Sequence, residues 1–237
     1  MSNTLAIAER ELKSFFVSTI AWIVTAAFLL MAGFLFSVIL LNTNEASLRY
    51  LVSNLSVILL FVAPFLTMRL LAEENRMGTV ELLLTNPVRD VEVIIGKFLG
   101  VMGFILVMLA FTLYFPALLF IFGTPDVGPM ATGYLGVLLQ AAAFAAIGLA
   151  VSSMTQNQIV AAFLSFAILL LLWLSDSMSN FLGKPLGDVM KYLSITNHFQ
   201  DFSRGVIDSS HIIYFVSVAA AALFVAYLSL QTRRWRA

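Results

Sequence analysis

Two histidines and a run of glutamates are the side chains in this sequence best suited to chemistry. His198 and His211 could ligate a metal or pass a proton. With no cysteine in the chain and no carboxylates clustered beside them, they do not complete a metal-ligand set. We expect His198 to cap or pack a short helix, and Asp176, Asp188, Asp201 and Asp208 to be solvated or to cap helix ends. Nucleophilic and phosphate chemistry find no template, because HExxH, GxSxG and GxxxxGK[ST] are all absent. No catalytic residue and no metal ligand is assigned.

The glutamates belong to a different kind of site. Residues 73–97, EENRMGTVELLLTNPVRDVEVIIGK, form the one long, densely charged stretch between two apolar runs. Gly78 permits a sharp turn, Thr79 can cap a helix, and Glu81 falls in the first turn, where the helix dipole favours an anion. Asn86 closes the helix, because a residue before proline, here Pro87, is pushed out of the α region. Leu82, Leu83 and Leu84 give the helix an apolar side. Two turns are not stable alone in water, so such a helix needs a partner surface.

The elements that must position this stretch are membrane spans. Hydrophobic residues make up 61% of the 237 and charged residues 11%, with a mean hydropathy of +0.98. Soluble domains have about 45–50% apolar residues. The formal net charge of +0 argues against a nucleic-acid partner. We expect an all-α integral membrane protein with six spans at residues 18–41, 51–71, 94–122, 131–153, 159–175 and 212–230, in one transmembrane domain over 1–237 that leaves no room for a nucleotide-binding domain. Residues 4–16 read as an amphipathic interfacial helix, in which Leu5, Leu12, Phe15 and Phe16 alternate with Glu9, Arg10, Glu11 and Lys13; a signal peptide is the competing reading, but charges persist to Lys13 and the next apolar run is too long for one. Pro64 should kink the second span; the third, with Pro116 inside it, is longer than the hydrocarbon core requires, so tilt, a kink or extension beyond the membrane must absorb the excess. Gln140 reads as interhelical glue, and Ala142, Ala146 and Ala150 as a small-residue packing face. Residues 176–211 should carry one or two short helices.

Lys and Arg orient the chain. With the N-terminus inside, Arg10, Lys13, Arg69, Arg76, Arg89, Lys97, Arg233, Arg234 and Arg236, nine of the 13, are cytoplasmic. Both termini and residues 73–92 then face the cytoplasm, and 176–211 lie outside, as expected of a multi-pass protein of the cell inner (plasma) membrane. There is no convincing internal repeat of the kind found in inverted-repeat transporters.

The string Pro64, Arg69, Glu73, Glu74, Gly78, Thr79, Glu81, Leu83, Leu84 and Pro87, running on through Gly96 and Lys97, resembles the signature after the second span in permeases of the type 2 ABC exporters. Tyr192-Leu193-Ser194, His198-Phe199, Phe202 and Arg204 to Asp208 are similar to the subgroup that serves gliding motility and nitrous-oxide-reductase maturation. The resemblance implies a non-catalytic permease subunit that pairs with a second permease, as a homodimer or heterodimer, in the lipid bilayer. It also implies a separate cytoplasmic ABC ATPase that binds ATP and Mg, with no cofactor bound by this chain. Glu73, Glu74, Arg76, Gly78, Thr79, Glu81, Leu83, Leu84 and Pro87 would form the coupling region.

Three other readings remain. Residues 73–97 could be a solvated loop whose charges only enforce topology, the chain could anchor a cytoplasmic machine without moving a substrate, or it could be a membrane enzyme with an unrecognised site.

Overall fold

The computed structural model describes residues 3–43, 49–78, 88–123, 125–179 and 181–234. Among these residues there are eleven helices and no strand. They are α1 (Asn3–Val17), α2 (Thr19–Thr43), α3 (Arg49–Thr67), α4 (Ala72–Met77), α5 (Asp90–Thr112), α6 (Tyr114–Phe122), α7 (Val127–Met154), α8 (Gln158–Ser179), α9 (Leu186–Leu193), α10 (Ile195–Ser203) and α11 (Ser209–Arg234). Six units are long and apolar enough to cross a membrane: α2, α3 with α4, α5 with α6, α7, α8 and α11. The chain is an all-α, multi-span membrane protein.

The centre of the bundle is α7, which packs against α3, α4, α5, α8, α10 and α11. Its most apolar window is 78% buried against 22% for α2 and 17% for α11, so those two helices line the outside. Glycines let its neighbours come close. A Cβ on Gly133 would lie 2.7 Å from Val52 Cγ1 on α3, and one on Gly136 would lie 2.7 Å from Phe202 Cβ on α10. Gln140 sits on the same helix, fully buried, accepting from Ser56 Oγ at 2.6 Å and donating to the Ser56 carbonyl at 3.3 Å. This amide therefore joins α7 to α3. Ala146 and Ala150 are buried, whereas Ala142 is partly exposed and lines an apolar groove with Phe98, Phe215 and Ala219.

Two of the spans are broken, each for a local reason. Pro116 has no N–H for the Thr112 carbonyl one turn earlier, and the third span divides at Leu113. Tyr134 Oη of α7 donates to that carbonyl instead, at 3.1 Å. The second span ends at Thr67, three residues after Pro64, and turns through residues 68–71 before α4 begins. The break sets the direction of α4.

The bundle has two dissimilar ends. One carries α1, α4 and the start of α5; the other carries the short helices α9 and α10 between α8 and α11.

Candidate functional site

Of the residues in the coupling signature, Glu73, Glu74, Arg76 and Gly78 are described, and they form α4 and its cap. Thr79, Glu81, Leu83, Leu84 and Pro87, together with Leu82, lie outside the described residues. Gly78 ends α4 in the left-handed region, φ 69°, with its N–H bonded to the Glu74 carbonyl. Its backbone freedom thus closes α4. Glu73 and Glu74 occupy the first turn and Arg76 the last, the order that the helix dipole favours.

A six-residue helix is too short to hold itself, so three other elements hold it. Ser152 on α7 is the first anchor. Its hydroxyl accepts from the Leu71 and Ala72 N–H groups at 3.1 and 3.0 Å and donates to the Met68 carbonyl at 3.0 Å, supplying the partners that the broken turn lacks. Asn75 is the second. Its amide donates to the Ser153 and Thr155 carbonyls at 3.2 and 3.0 Å, so α4 caps the end of α7.

The third anchor is ionic. Lys97 of α5, 1% exposed, places Nζ 2.9 Å from Glu11 Oε1 on α1 and 2.8 Å from Glu74 Oε1 on α4. Arg10 adds a second cation, 3.1 Å from Glu11 and 3.6 Å from Glu74. Two carboxylates face two cations, and this balance is what makes a buried ammonium tolerable. Burial pushes the Glu11 carboxyl upward, but Lys97 and then Arg10 outweigh it and hold the group below its ordinary value.

The helix α1 reaches this position because α5 offers it a smooth face. Cβ atoms on Gly96 and Gly100 would lie 2.7 Å from Ile7 Cγ2 and 2.6 Å from Glu11 Cβ, and one on Gly103 would lie 3.3 Å from Leu12 Cδ1. Phe15 stacks on Phe104 at 5.1 Å beyond them. The amphipathic reading of residues 4–16 grouped Glu11 with the solvated charges Glu9 and Lys13. In the structure Glu11 turns inward, because α5 brings Lys97 to meet it. Arg69, in the turn after α3, bonds Ser18 Oγ at 2.8 Å and Ser14 Oγ at 3.0 Å, and so fixes the junction of α1 with α2.

The sequence reading missed Gly96, Gly100, Asn75 and Ser152 as site residues. Gly96 and Gly100 carry a legible signal, small residues four apart at the start of a span. Asn75 and Ser152 carry none, since the backbone groups each one serves lie about 80 residues away in the chain.

At the opposite end the two histidines meet. His198 Nδ1 lies 2.7 Å from His211 Nδ1, His198 Nε2 lies 2.9 Å from the Tyr192 carbonyl, and His211 Nε2 lies 2.8 Å from Asp201 Oδ2. The His198 ring stacks on Tyr214 at 3.9 Å and meets Tyr192 edge-on at 5.6 Å. Asp208 accepts from Ser210 N at 2.8 Å at the start of α11. Asp201 is neither simply solvated nor a helix cap, because the fold brings α11 alongside α10. No group of three or more His, Asp or Glu among the described residues is placed to hold a metal ion.

No curated protein matches this chain. Residues 5–234, nearly the whole length, match the family described as ABC-2 family transporter protein. With six apolar spans bundled around α7, this match means that the chain belongs to the ABC-2 transporter family, as a membrane-spanning permease subunit.

Proposed function

We propose that this permease forms, with a second permease subunit, the translocation pathway of an ATP-driven exporter, and that it couples to a separate cytoplasmic ATPase through residues 73–87. The α4 end faces the cytoplasm in this reading, in keeping with the distribution of Lys and Arg, and both termini lie there, in the cell inner membrane. ATP and Mg are bound by the ATPase, and this chain is non-catalytic.

One observation carries the reading. The short helix at the head of the 73–87 segment is fastened simultaneously to α1 and α5 by Lys97 and to α7 by Ser152 and Asn75. A displacement of α4 is therefore a displacement of three membrane elements, including the centre of the bundle. A loop that only enforced topology would not need these bonds. The likeness of residues 192–208 to the permeases of gliding motility and nitrous-oxide-reductase maturation makes that subgroup the nearest we propose.

Copurification with a cytoplasmic ABC ATPase from cells expressing the chain, followed by ATP hydrolysis in lipid nanodiscs, tests the assignment. Glu81→Lys should insert normally but lose at least tenfold of its association with the ATPase or of its coupled hydrolysis, about 1.4 kcal/mol or more of coupling. Unchanged copurification and hydrolysis would remove Glu81 from the contact. Copurification with no substrate-linked activity would favour a membrane anchor without transport.

A further inference from the structure

The His198, His211 and Asp201 cluster has a proton count that its geometry sets. The Tyr192 carbonyl can only accept, so His198 Nε2 must carry a hydrogen. An ionised Asp201 can only accept, so His211 Nε2 must carry one too. The two Nδ1 atoms, 2.7 Å apart, then require one hydrogen between them. With none, two lone pairs would face each other; with two, two N–H groups would collide. Three hydrogens on four ring nitrogens is one more than two neutral imidazoles hold. Moving the extra proton to Asp201 changes its address but not the total, because His211 Nε2 would then accept from the carboxylic acid.

We propose that His198, His211 and Asp201 form a single-proton latch, which fastens α10 to the first turn of α11 and to the end of α9 while the extra proton is held, and releases them when it is lost. Nothing in the ATPase-coupling role requires this cluster, and it lies at the other end of the bundle.

The surroundings decide where the charge sits. Burial between the rings of Tyr192 and Tyr214 pushes the His198 imidazole below its ordinary value, so His198 is the neutral partner and accepts through Nδ1. His211 carries the charge against Asp201. The start of α11 disfavours a cation, and Asp201 at 2.8 Å together with the nearby Asp208 offsets that. Arg204 lies 3.9 Å from Asp201 and competes for it. Tyr214 on α11 donates to the Leu193 carbonyl at 2.6 Å, and Tyr192 and Lys191 end α9. Arg49 on α3, Asp126 at the head of α7 and Asp176 on α8 are charges at the same end of the bundle. The contacts of α7 and α8 with α10 include Thr132, Gly136 and the Trp173 carbonyl. The closed latch holds one extra proton, neither none nor two, so closure is greatest near the histidine range: it is lost as pH rises through that range and weakens again in stronger acid, where both released imidazoles would be charged.

The sequence holds two histidines, so ¹⁵N-histidine NMR of the full chain in nanodiscs reads the latch without overlap. At about pH 6, within the range where histidine is charged, three ring nitrogens should be protonated and His198 Nδ1 bare. Two neutral rings beside an ionised Asp201 would overturn the proposal. Hydrogen exchange over residues 195–211, corrected for intrinsic rates, should rise roughly tenfold or more between about pH 6 and 8, the factor carried by one charge-assisted hydrogen bond. His211→Gln should abolish this response. Equal protection at both pH values, or an unchanged response in His211→Gln, would also overturn the latch. Should that variant fail to fold, Asp201→Asn serves: loss of the carboxylate should move the midpoint to lower pH, and an unmoved midpoint would count against the latch.

Discussion

At the α4 end, Lys97 is closed between Glu11 and Glu74 and is 1% exposed; at the other end, His211 faces an Asp201 whose side chain is 37% exposed. Both ends use a cation held by carboxylates to bind a short helix to the spans. They differ in the cation. The ordinary range of an ammonium group lies far above neutrality, whereas that of an imidazolium spans the physiological range. The α4 junction is therefore a permanent joint, suited to passing force, and the α10 junction is a conditional one.

The sharpest way to break this comparison is to remove the permanent cation. Lys97→Met leaves Glu11 and Glu74 buried against each other with only the half-exposed Arg10 between them. Removing one partner of a buried ion pair costs about 3–5 kcal/mol. The expected outcome is a large loss of thermal stability in detergent at neutral pH, partly restored by adding Glu74→Gln. A small loss would show that the joint is solvated. Next in size is Gly100→Leu, which forces α1 away from α5, since even a Cβ would lie 2.6 Å from Glu11 Cβ. Overpacking of this kind costs about 1–3 kcal/mol, and increased hydrogen exchange confined to residues 3–17 would locate it. Equal exchange in α10 would show that the two ends are not independent.

The smallest effect is acid loosening of the α4 joint. The Glu11 carboxyl is held below its ordinary value, so its stabilisation is present at neutral pH and is lost only as pH falls below the usual carboxylate range. Thermal stability of an Asp201→Asn variant should fall further from neutral to acidic pH than that of the same variant carrying Glu11→Gln, because the other carboxyls are common to both. An equal fall in the two would contradict the assignment of Glu11.

How much of this was legible in the sequence depends on the distance over which each feature is decided. The six spans were readable because hydropathy accumulates over neighbouring residues, and the break at Leu113 had its cause, Pro116, printed nearby. Gly96 and Gly100 were readable in principle as small residues four apart. The inward turn of Glu11 was not, because helical spacing alone grouped it with Glu9 and Lys13. Ser152 gave no signal either, since its three hydrogen bonds serve a turn some 80 residues earlier in the chain.

What the sequence determined by itself was therefore the class and the layout: apolar stretches of sufficient length must be satisfied as helices in a membrane, and their charged connections must lie at its surfaces. Tertiary structure alone decided which charge meets which. Lys97 finds Glu11 across 86 residues, and His198 finds His211 across 13 on a different helix. The physical reason is that a buried ion or a shared proton is stabilised only by the atoms within a few ångströms of it, and no local pattern in the chain records those neighbours.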